Sequence, residues 1–411
     1  MNLSTQWLPK IPTGWQIANP KSLFSERNQK STVNDIHLTP SQKYGVLPQS
    51  EYMEITSGSV VLNLTGSDNM KHVEKNDFII HLRSFQGGIE HSNYSGKVSN
   101  AYCVLRPNRE IEPRFFRWVL KSQGYIQELN ATTDQLRDGQ SIKFEQFASI
   151  GLPLPPIGEQ CRIADFLSVE IGKVDLIIEK NIKLLALLEK ELQSHTSQVF
   201  RSISSKCKFK YRYSTKSGNS ISEQFIADNS LTNTNGLPFI ATKEITNDGH
   251  INYDSDIKIP LSISHLFRIA KPGTIFLCSE GGSAGKKFAI NEEIVTYGNK
   301  LFSIESKSSM TTKILFHIFR TDAFQIQFSS NMNGLIGGIS SNLLGEIEIP
   351  DISGDEEMVL LQDLETINSD YLSRFEKISR IIELLREYKI ALTANAVTGE
   401  NAFNREREVI L

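Results

Sequence analysis

The sequence predicts an α+β chain with an internal repeat: two globular domains and two long helices that pack on each other as a coiled-coil pair. Three observations predict it. Between Leu152 and Phe200, apolar residues at Ile163, Leu167, Ile171, Val174, Ile178, Ile182, Leu185, Leu188 and Leu192 recur every three or four positions, which keeps them on one helical face. The layout returns 197 positions later, with Pro153 aligned to Pro350, Glu159 to Glu356, Leu167 to Leu364, Leu185 to Ile382 and Leu188 to Leu385, and it runs without a gap to Val397. Ahead of each copy, short β-branched and aromatic runs bounded by Gly, Asn and Ser read as strands.

Residues 1–156 form the first expected domain. Strand-like runs are SVVLNLT (59–65), DFIIHL (77–82) and VSNAYCVL (98–105), followed by one helix over EPRFFRWVLKSQGYIQEL and a loop from Leu129 to Gln140. Pro153, Pro155 and Pro156 cannot continue a helix but can lead into one, and Glu159 suits the positive end of the helix dipole. The first long helix, within 157–203, therefore starts near Ile157, and its roughly 42 residues span on the order of 60 Å. Residues 204–350 repeat the plan with a different surface. GTIFLCSE (273–280) replaces DFIIHL, KLFSIES (300–306) replaces VSNAYCVL, and TTKILFHIFRTDAFQIQF is the helix. Inside that helix Phe115 aligns with Ile314 and Val119 with Ile318, an offset of 199, so a loop has changed length by two residues. The second long helix occupies 351–411, with a seam through Leu360, Leu364, Ile367, Tyr371, Phe375, Ile378, Ile382, Leu385 and Leu392. Two such helices alone in water would be unstable, which is why they are expected to pair.

Composition excludes several classes. With 39% hydrophobic residues the chain reads as an ordinary soluble protein, no apolar run is long enough to span a membrane, and MNLSTQWLPK lacks a signal-peptide pattern, so a cytoplasmic protein is expected. Cys103, Cys161, Cys207 and Cys278 are scattered without metal-site spacing. The net charge of −3 divides into +2 for residues 1–156, −1 for 157–203, +2 for 204–350 and −6 for 351–411. Mildly basic globular parts permit DNA contact.

The chemistry of a DNA methyltransferase is missing: there is no glycine-rich cofactor loop and no Asn/Asp-Pro-Pro-aromatic tetrapeptide. GGSAGKK (281–287) has too few residues before GK for a phosphate loop and carries Lys287 where a Ser or Thr would bind magnesium, so it reads as a basic glycine turn. Pro350-Asp351 opens no nuclease motif. The histidines show no paired metal spacing, and His195 and His317 read as surface or partly packed residues.

A globular domain, then PLPPIGEQCRI and a long helix with a LLEKE-like turn, then a second such domain and a helix ending TANAVTGE, resembles the specificity subunit of type I restriction-modification enzymes. The resemblance covers nearly the whole chain and rests on the order of parts as well as on LPLPPIGEQ. It implies that the globular parts are target-recognition domains, that the helices run antiparallel between them in a pseudo-two-fold repeat, and that each domain reads one half of a bipartite double-stranded DNA target. It implies two modification subunits docked on the helices, carrying S-adenosylmethionine and methylating adenine, and restriction/translocase subunits that add ATP-driven cleavage. The chain itself would then bind no cofactor, hold no metal and catalyse nothing. Docking would involve the helix lead-ins, with Glu159, Gln160 and Glu356 as candidates. The second lead-in, IPDISGDEEM, keeps one of three prolines and carries Glu356 and Glu357 where the first has Glu159 and Gln160; Cys161 stands where the family commonly has a basic residue.

Basic and amide side chains in the loops are the candidates for DNA contact, because Arg and Lys neutralise phosphates and Arg, Asn and Gln pair with base edges. These are Arg83, Gln86 and Lys97 in the first domain and Lys286, Lys287, Asn299 and Lys300 in the second. The run Lys206, Lys208, Lys210, Arg212 alternates as a strand would. Two rival functions are a coiled-coil scaffold for protein partners and a single-chain methyltransferase or nuclease.

Overall fold

The computed structural model describes residues 3–9, 11–56, 70–82, 84–108, 110–132, 142–232, 235–307, 310–334, 337–352 and 354–400. It divides into two compact units, Met1–Asn181 with Arg380–Leu411 and Ile182–Ser379. The expected strand over 59–65, Arg83, and most of the loop from Leu129 to Gln140 lie outside the described residues; Leu129–Ala131 are helical.

In the first unit an antiparallel four-stranded sheet runs in the order Phe24–Glu26, Cys103–Pro107, Phe78–Ile80, Glu90–His91. Its aromatic residues make the core: Phe24 meets Phe78, Phe116 and Phe147 edge-on at centroid distances of 5.5, 5.5 and 5.6 Å. A hairpin of Leu38–Ser41 and Gly45–Pro48, and a pair of Lys71–Val73 with Gly96–Val98, lie outside that sheet. The run 98–105 is therefore two strands with a turn between them. Buried Arg27 ties the sheet to the turn before Phe78. Its Nε and Nη2 donate to Asp77 at 2.7 and 3.1 Å, and Nη2 also donates to Glu74 at 2.9 Å.

The second unit repeats the four-stranded sheet as Tyr213–Ser217, Leu301–Ser306, Ile275–Cys278, Phe288–Ile290. It adds a second sheet, Lys258–Ile259, Leu237–Ile240, Val295–Tyr297, Ile269–Ala270, in which Phe239 pairs in parallel with Thr296. The scaffold is shared and the decoration is not.

Each globular part is closed at its base by a two-stranded clasp. Gln16–Ala18 pairs antiparallel with Leu152–Leu154, and Lys206–Lys208 with Glu348–Pro350. The helix expected in each half is in fact two: Pro113–Val119 then Gln123–Ala131, and Thr312–Ile318 then Asp322–Ser330. The breaks fall at Ser122 and Thr321, 199 positions apart. Each hydroxyl donates back to the previous turn, Ser122 to the Val119 carbonyl at 2.8 Å and Thr321 to that of Ile318 at 2.7 Å, and each residue is the N-cap of the next helix. The run from Lys206 to Arg212 also departs from expectation. Only Lys206–Lys208 is strand, and Phe209–Arg212 turns helically so that Phe209 drops into the core.

The long helices are Ile157–Arg201 and Gly354–Thr398, the second beginning and ending 197 positions after the first. In the first unit Ile163, Leu167 and Ile171 at the start of one share a core with Leu392, Ala396 and Val397 at the end of the other, and Lys389 Nζ donates to both Asp175 oxygens at 2.6 and 2.8 Å. In the second unit Val199 and Phe200 meet Leu360 and Leu364, while Leu188 and Leu192 pack with Ile367, Tyr371 and Phe375. In both units the start of one helix lies with the end of its partner, so the pair is antiparallel. Toward the middle of the first helix the seam opens: Ile178 is half-buried and Ile182 is 48% exposed. Among the described residues no helix is long and apolar enough to cross a membrane.

Candidate nucleic-acid interface

Each unit carries a cleft between the end of its first short helix and the long helices. In the first unit it encloses about 730 Å³ and is lined by Lys43, Tyr44, Gln86, Glu90, Arg117, Trp118 and Lys121, with Asp175 and Lys389 from the long helices. The Lys43 Nζ sits over the Tyr44 ring at 4.8 Å and the Arg117 guanidinium over Trp118 at 5.3 Å, so both cations rest against aromatic faces in the cleft lining. Lys121 Nζ is held by both oxygens of buried Glu90 at 2.7 and 2.8 Å. Burial pushes the Glu90 carboxyl up from its usual range, against the pull of Lys121 and Arg117. Exposed cations beside ring faces and a Gln amide can neutralise phosphate and hydrogen-bond base edges.

The cleft of the second unit encloses about 240 Å³ and is lined by Lys286, Phe288, Phe319, Arg320 and Asn247 with Glu189, Gln193 and Tyr371 of the long helices. Lys121 and Arg320 are 199 positions apart, so the repeat brings a cation to the same place in both units.

The sequence candidates are spread across the fold. Gln86 is exposed on the first cleft and Lys286 is exposed on the second. Lys97 is only 8% exposed, on the strand Gly96–Val98, and its charge lowers the pKa of His37 alongside burial. Lys287 is half-buried and donates to the Thr242 carbonyl at 3.3 Å, whereas Asn299 and Lys300 are exposed at the turn before Leu301–Ser306. The GGSAGKK turn joins strand Ile275–Cys278 to strand Phe288–Ile290, with no helix after it to cradle phosphate. Gly285 has φ of +72° and a side chain there would strike the Phe328 ring. Lys208 and Lys210 both pair with Glu346, and Arg212 pairs with Asp351, so two carboxylates partly neutralise this run of four cations and Lys206 stays exposed. His195 is exposed but His317 is 6% exposed, buried rather than superficial. No metal-binding cluster occurs among the described residues.

Lys43, Arg117 and Arg320 were not singled out in the sequence. Arg320 was within reach, since extending the Phe115–Ile314 alignment by six residues finds it. Lys43 and Arg117 become notable only through their ring partners.

The helix lead-ins hold a second repeated arrangement. Gln160 is 2% exposed; its Oε1 accepts from the Glu112 backbone N–H at 2.9 Å and its Nε2 donates to the Pro155 carbonyl at 2.8 Å. Glu357, 3% exposed and 197 positions on, accepts from the Thr311 N–H at 2.8 Å and from the Thr311 hydroxyl. Glu112 and Thr311 are N-caps of equivalent short helices, so each long helix latches its own globular part by the same backbone donor. Glu159 is half-buried and Glu356 exposed. Glu357→Ala is expected to cost about 1–3 kcal/mol because the Thr311 N–H and hydroxyl lose their hydrogen bonds to a buried carboxylate, and Glu357→Gln, which keeps an oxygen there, should recover most of it. Urea unfolding of both variants reads this, and equal loss in the two would contradict it.

Residues 12–186 match the family model described as the type I restriction modification DNA specificity domain. Among solved structures, a chain from a study of complex assembly and conformational transition of the type I R-M system is 15% identical with a TM-score of 0.66, covering 96% of this chain and 100% of that one. The HsdS subunit from Thermoanaerobacter tengcongensis is 16% identical over 96% of this chain and 99% of its own, with a TM-score of 0.45. The type I S subunit from M. genitalium is 17% identical over the same shares, 96% and 99%, with a TM-score of 0.39. No curated protein sequence matches the chain. Residues 12–186 thus match the type I restriction modification DNA specificity domain, and the same sheet, clasp and latch recur in the second half of the chain.

Proposed function

We propose that this chain is the DNA-reading subunit of a type I restriction-modification complex, with each globular part reading one half of a bipartite double-stranded target. The observation that carries the reading is the repetition itself. A domain of a DNA-specificity family recurs on the same four-stranded sheet, clasp and latch, while the outer strands and loops differ between copies. Two readers of unlike half-sites need a common frame and unlike surfaces. In this reading the chain holds no cofactor and no catalytic group. Modification subunits bring S-adenosylmethionine and methylate adenine, and restriction/translocase subunits supply ATP-driven cleavage.

The modification subunits are proposed to dock on the long helices. The exposed apolar residues support this better than Gln160, whose amide is used inside the fold: Val169, Leu176 and Ile177 in the first unit, and Leu184, Leu187, Met358 and Val359 in the second. Surface of this kind on a helix favours a protein partner.

Gel shift of the chain with its modification subunits against pooled duplexes tests the reading. Enrichment of two fixed half-sites around an unread spacer is expected, and binding without sequence preference would instead favour a protein scaffold. Because a 45-residue helix measures about 68 Å and DNA advances about 34 Å per turn, helix length should set the spacer. Removing one heptad from each long helix, about 10 Å, should shorten the unread spacer by about three base pairs and leave both half-sites alone. Sequencing of modified adenines measures this, and an unchanged spacer would refute it.

A further inference from the structure

The two clefts occupy equivalent places in the repeat but differ in charge. In the first unit Lys121 is matched by Glu90, across the strand from Ile79. In the second, Ala289 pairs with Phe276 in the equivalent strand and lies 199 positions after Glu90, the same offset that relates Lys121 to Arg320. The carboxylate has become a methyl group and the cation has remained. Among the described residues Arg320 has no carboxylate within 4.0 Å. Its Nη1 donates to Asn368 at 2.6 Å, its Nη2 makes a long contact with the Asp248 carbonyl at 3.4 Å, and the guanidinium lies over the Phe316 ring at 4.4 Å. Three of its five N–H groups are left without a protein acceptor. Burial lowers its pKa to about 10, the response of a cation removed from water without a counter-charge.

Lys286, Gln193 and Asn247 line the same cleft, and none makes a side-chain hydrogen bond among the described residues. We propose that the cleft of the second unit is a phosphate-binding site, with Arg320 as its anchor and Lys286, Gln193 and Asn247 as further donors. A planar guanidinium with free N–H groups matches tetrahedral oxygens better than a lone ammonium does. Two acidic groups face the site as well. Glu189 on the long helix is exposed, and Asp248 leans toward His250 at 3.8 Å; both act on Arg320 from beyond contact distance. The phosphate comes either from the DNA backbone, in which case the proposal rests on the DNA-reading function, or from a free phosphate or nucleotide, in which case it does not.

The test uses the full chain, in chloride buffer, titrated with inorganic phosphate at constant ionic strength and followed by thermal unfolding. In parallel, DNA affinity of the complex with modification subunits is measured across salt concentrations. For a free-phosphate site, the wild type is stabilised by phosphate, Arg320→Gln weakens that binding by about tenfold or more, Lys286→Gln weakens it less, and Glu189→Gln strengthens it. For a DNA phosphate, millimolar phosphate does nothing, and Arg320→Gln reduces the salt slope by about 0.9 with unchanged half-site preference. If Arg320→Gln alters neither phosphate stabilisation nor salt slope, the site does not exist. If Glu189→Gln unfolds the chain, Glu189 is the counter-charge and the proposal fails. Loss of all sequence preference in the wild type would refute the DNA-reading function and leave the phosphate titration to decide the site by itself.

Discussion

Acidification from pH 6.5 to pH 4 is expected to destabilise each unit by about 3 kcal/mol through a single histidine. His91 in the first unit and His317 in the second are each 6% exposed, and burial lowers both pKa values from 6.5 to about 4. Nearby Arg117 and Lys75 add to the shift at His91 against Glu112, and Arg320 adds to it at His317. Only Nε2 of His91 finds a partner, Asn76 at 3.2 Å, and Nδ1 is left without one in both residues. The unfolded chain takes up protons below pH 6.5 while the folded histidines stay neutral until about pH 4, so their contribution is complete above pH 6.5 and lost through that interval. His91→Phe and His317→Phe should each flatten the acid limb of its own unit, followed by amide exchange of the two four-stranded sheets. An acid limb unchanged in both variants would assign it to carboxylates instead.

Arg27→Ala is expected to cost about 3–5 kcal/mol, concentrated in the first unit. The side chain is 9% exposed and Asp77 1%, so truncation leaves a carboxylate buried without its cation. Glu74, which shares the arginine, is half in solvent and cannot compensate. Removing both partners, as Arg27→Met with Asp77→Leu, should recover much of the loss, because the attraction is set against the desolvation of two charges. Exchange of amides in Phe24–Glu26 and Cys103–Pro107 reads the effect, and a loss below about 1 kcal/mol would show that water reaches the pair.

The long helices were legible because their cause is local and uninterrupted. A seam of three- and four-residue steps, entered through prolines, fixes their ends to within a few residues, and the repeat doubles the evidence. The breaks at Ser122 and Thr321 were written in the sequence as cap residues inside an apolar run, but a hydroxyl in such a run can equally face water, and the fold decides. Lys206 to Arg212 misled because alternation of charge says nothing about Phe209, whose burial bends the chain. The docking candidates divide for a similar reason: the sequence offers Gln160 as a docking residue by its place in the helix lead-in, and only the neighbouring Glu112 N–H shows what its oxygen is for. Lys97 lies on a strand where burial falls on successive residues, so period-two reasoning could not place it outward. The pairing of Ala289 with Phe276, where the first unit pairs Glu90 with Ile79, is a fact of register that no linear spacing carries.

The clasps have a consequence for how such chains can change over time. The backbone goes into each lobe on one strand and comes out on its immediate antiparallel neighbour, Gln16–Ala18 beside Leu152–Leu154 and Lys206–Lys208 beside Glu348–Pro350. Whatever lies between is a closed excursion whose two cut ends sit about 5 Å apart. A foreign excursion with the same spacing of ends, and with the same latch and core contacts to the long helices, could be spliced in, so a whole lobe can be inherited in one recombination rather than assembled residue by residue.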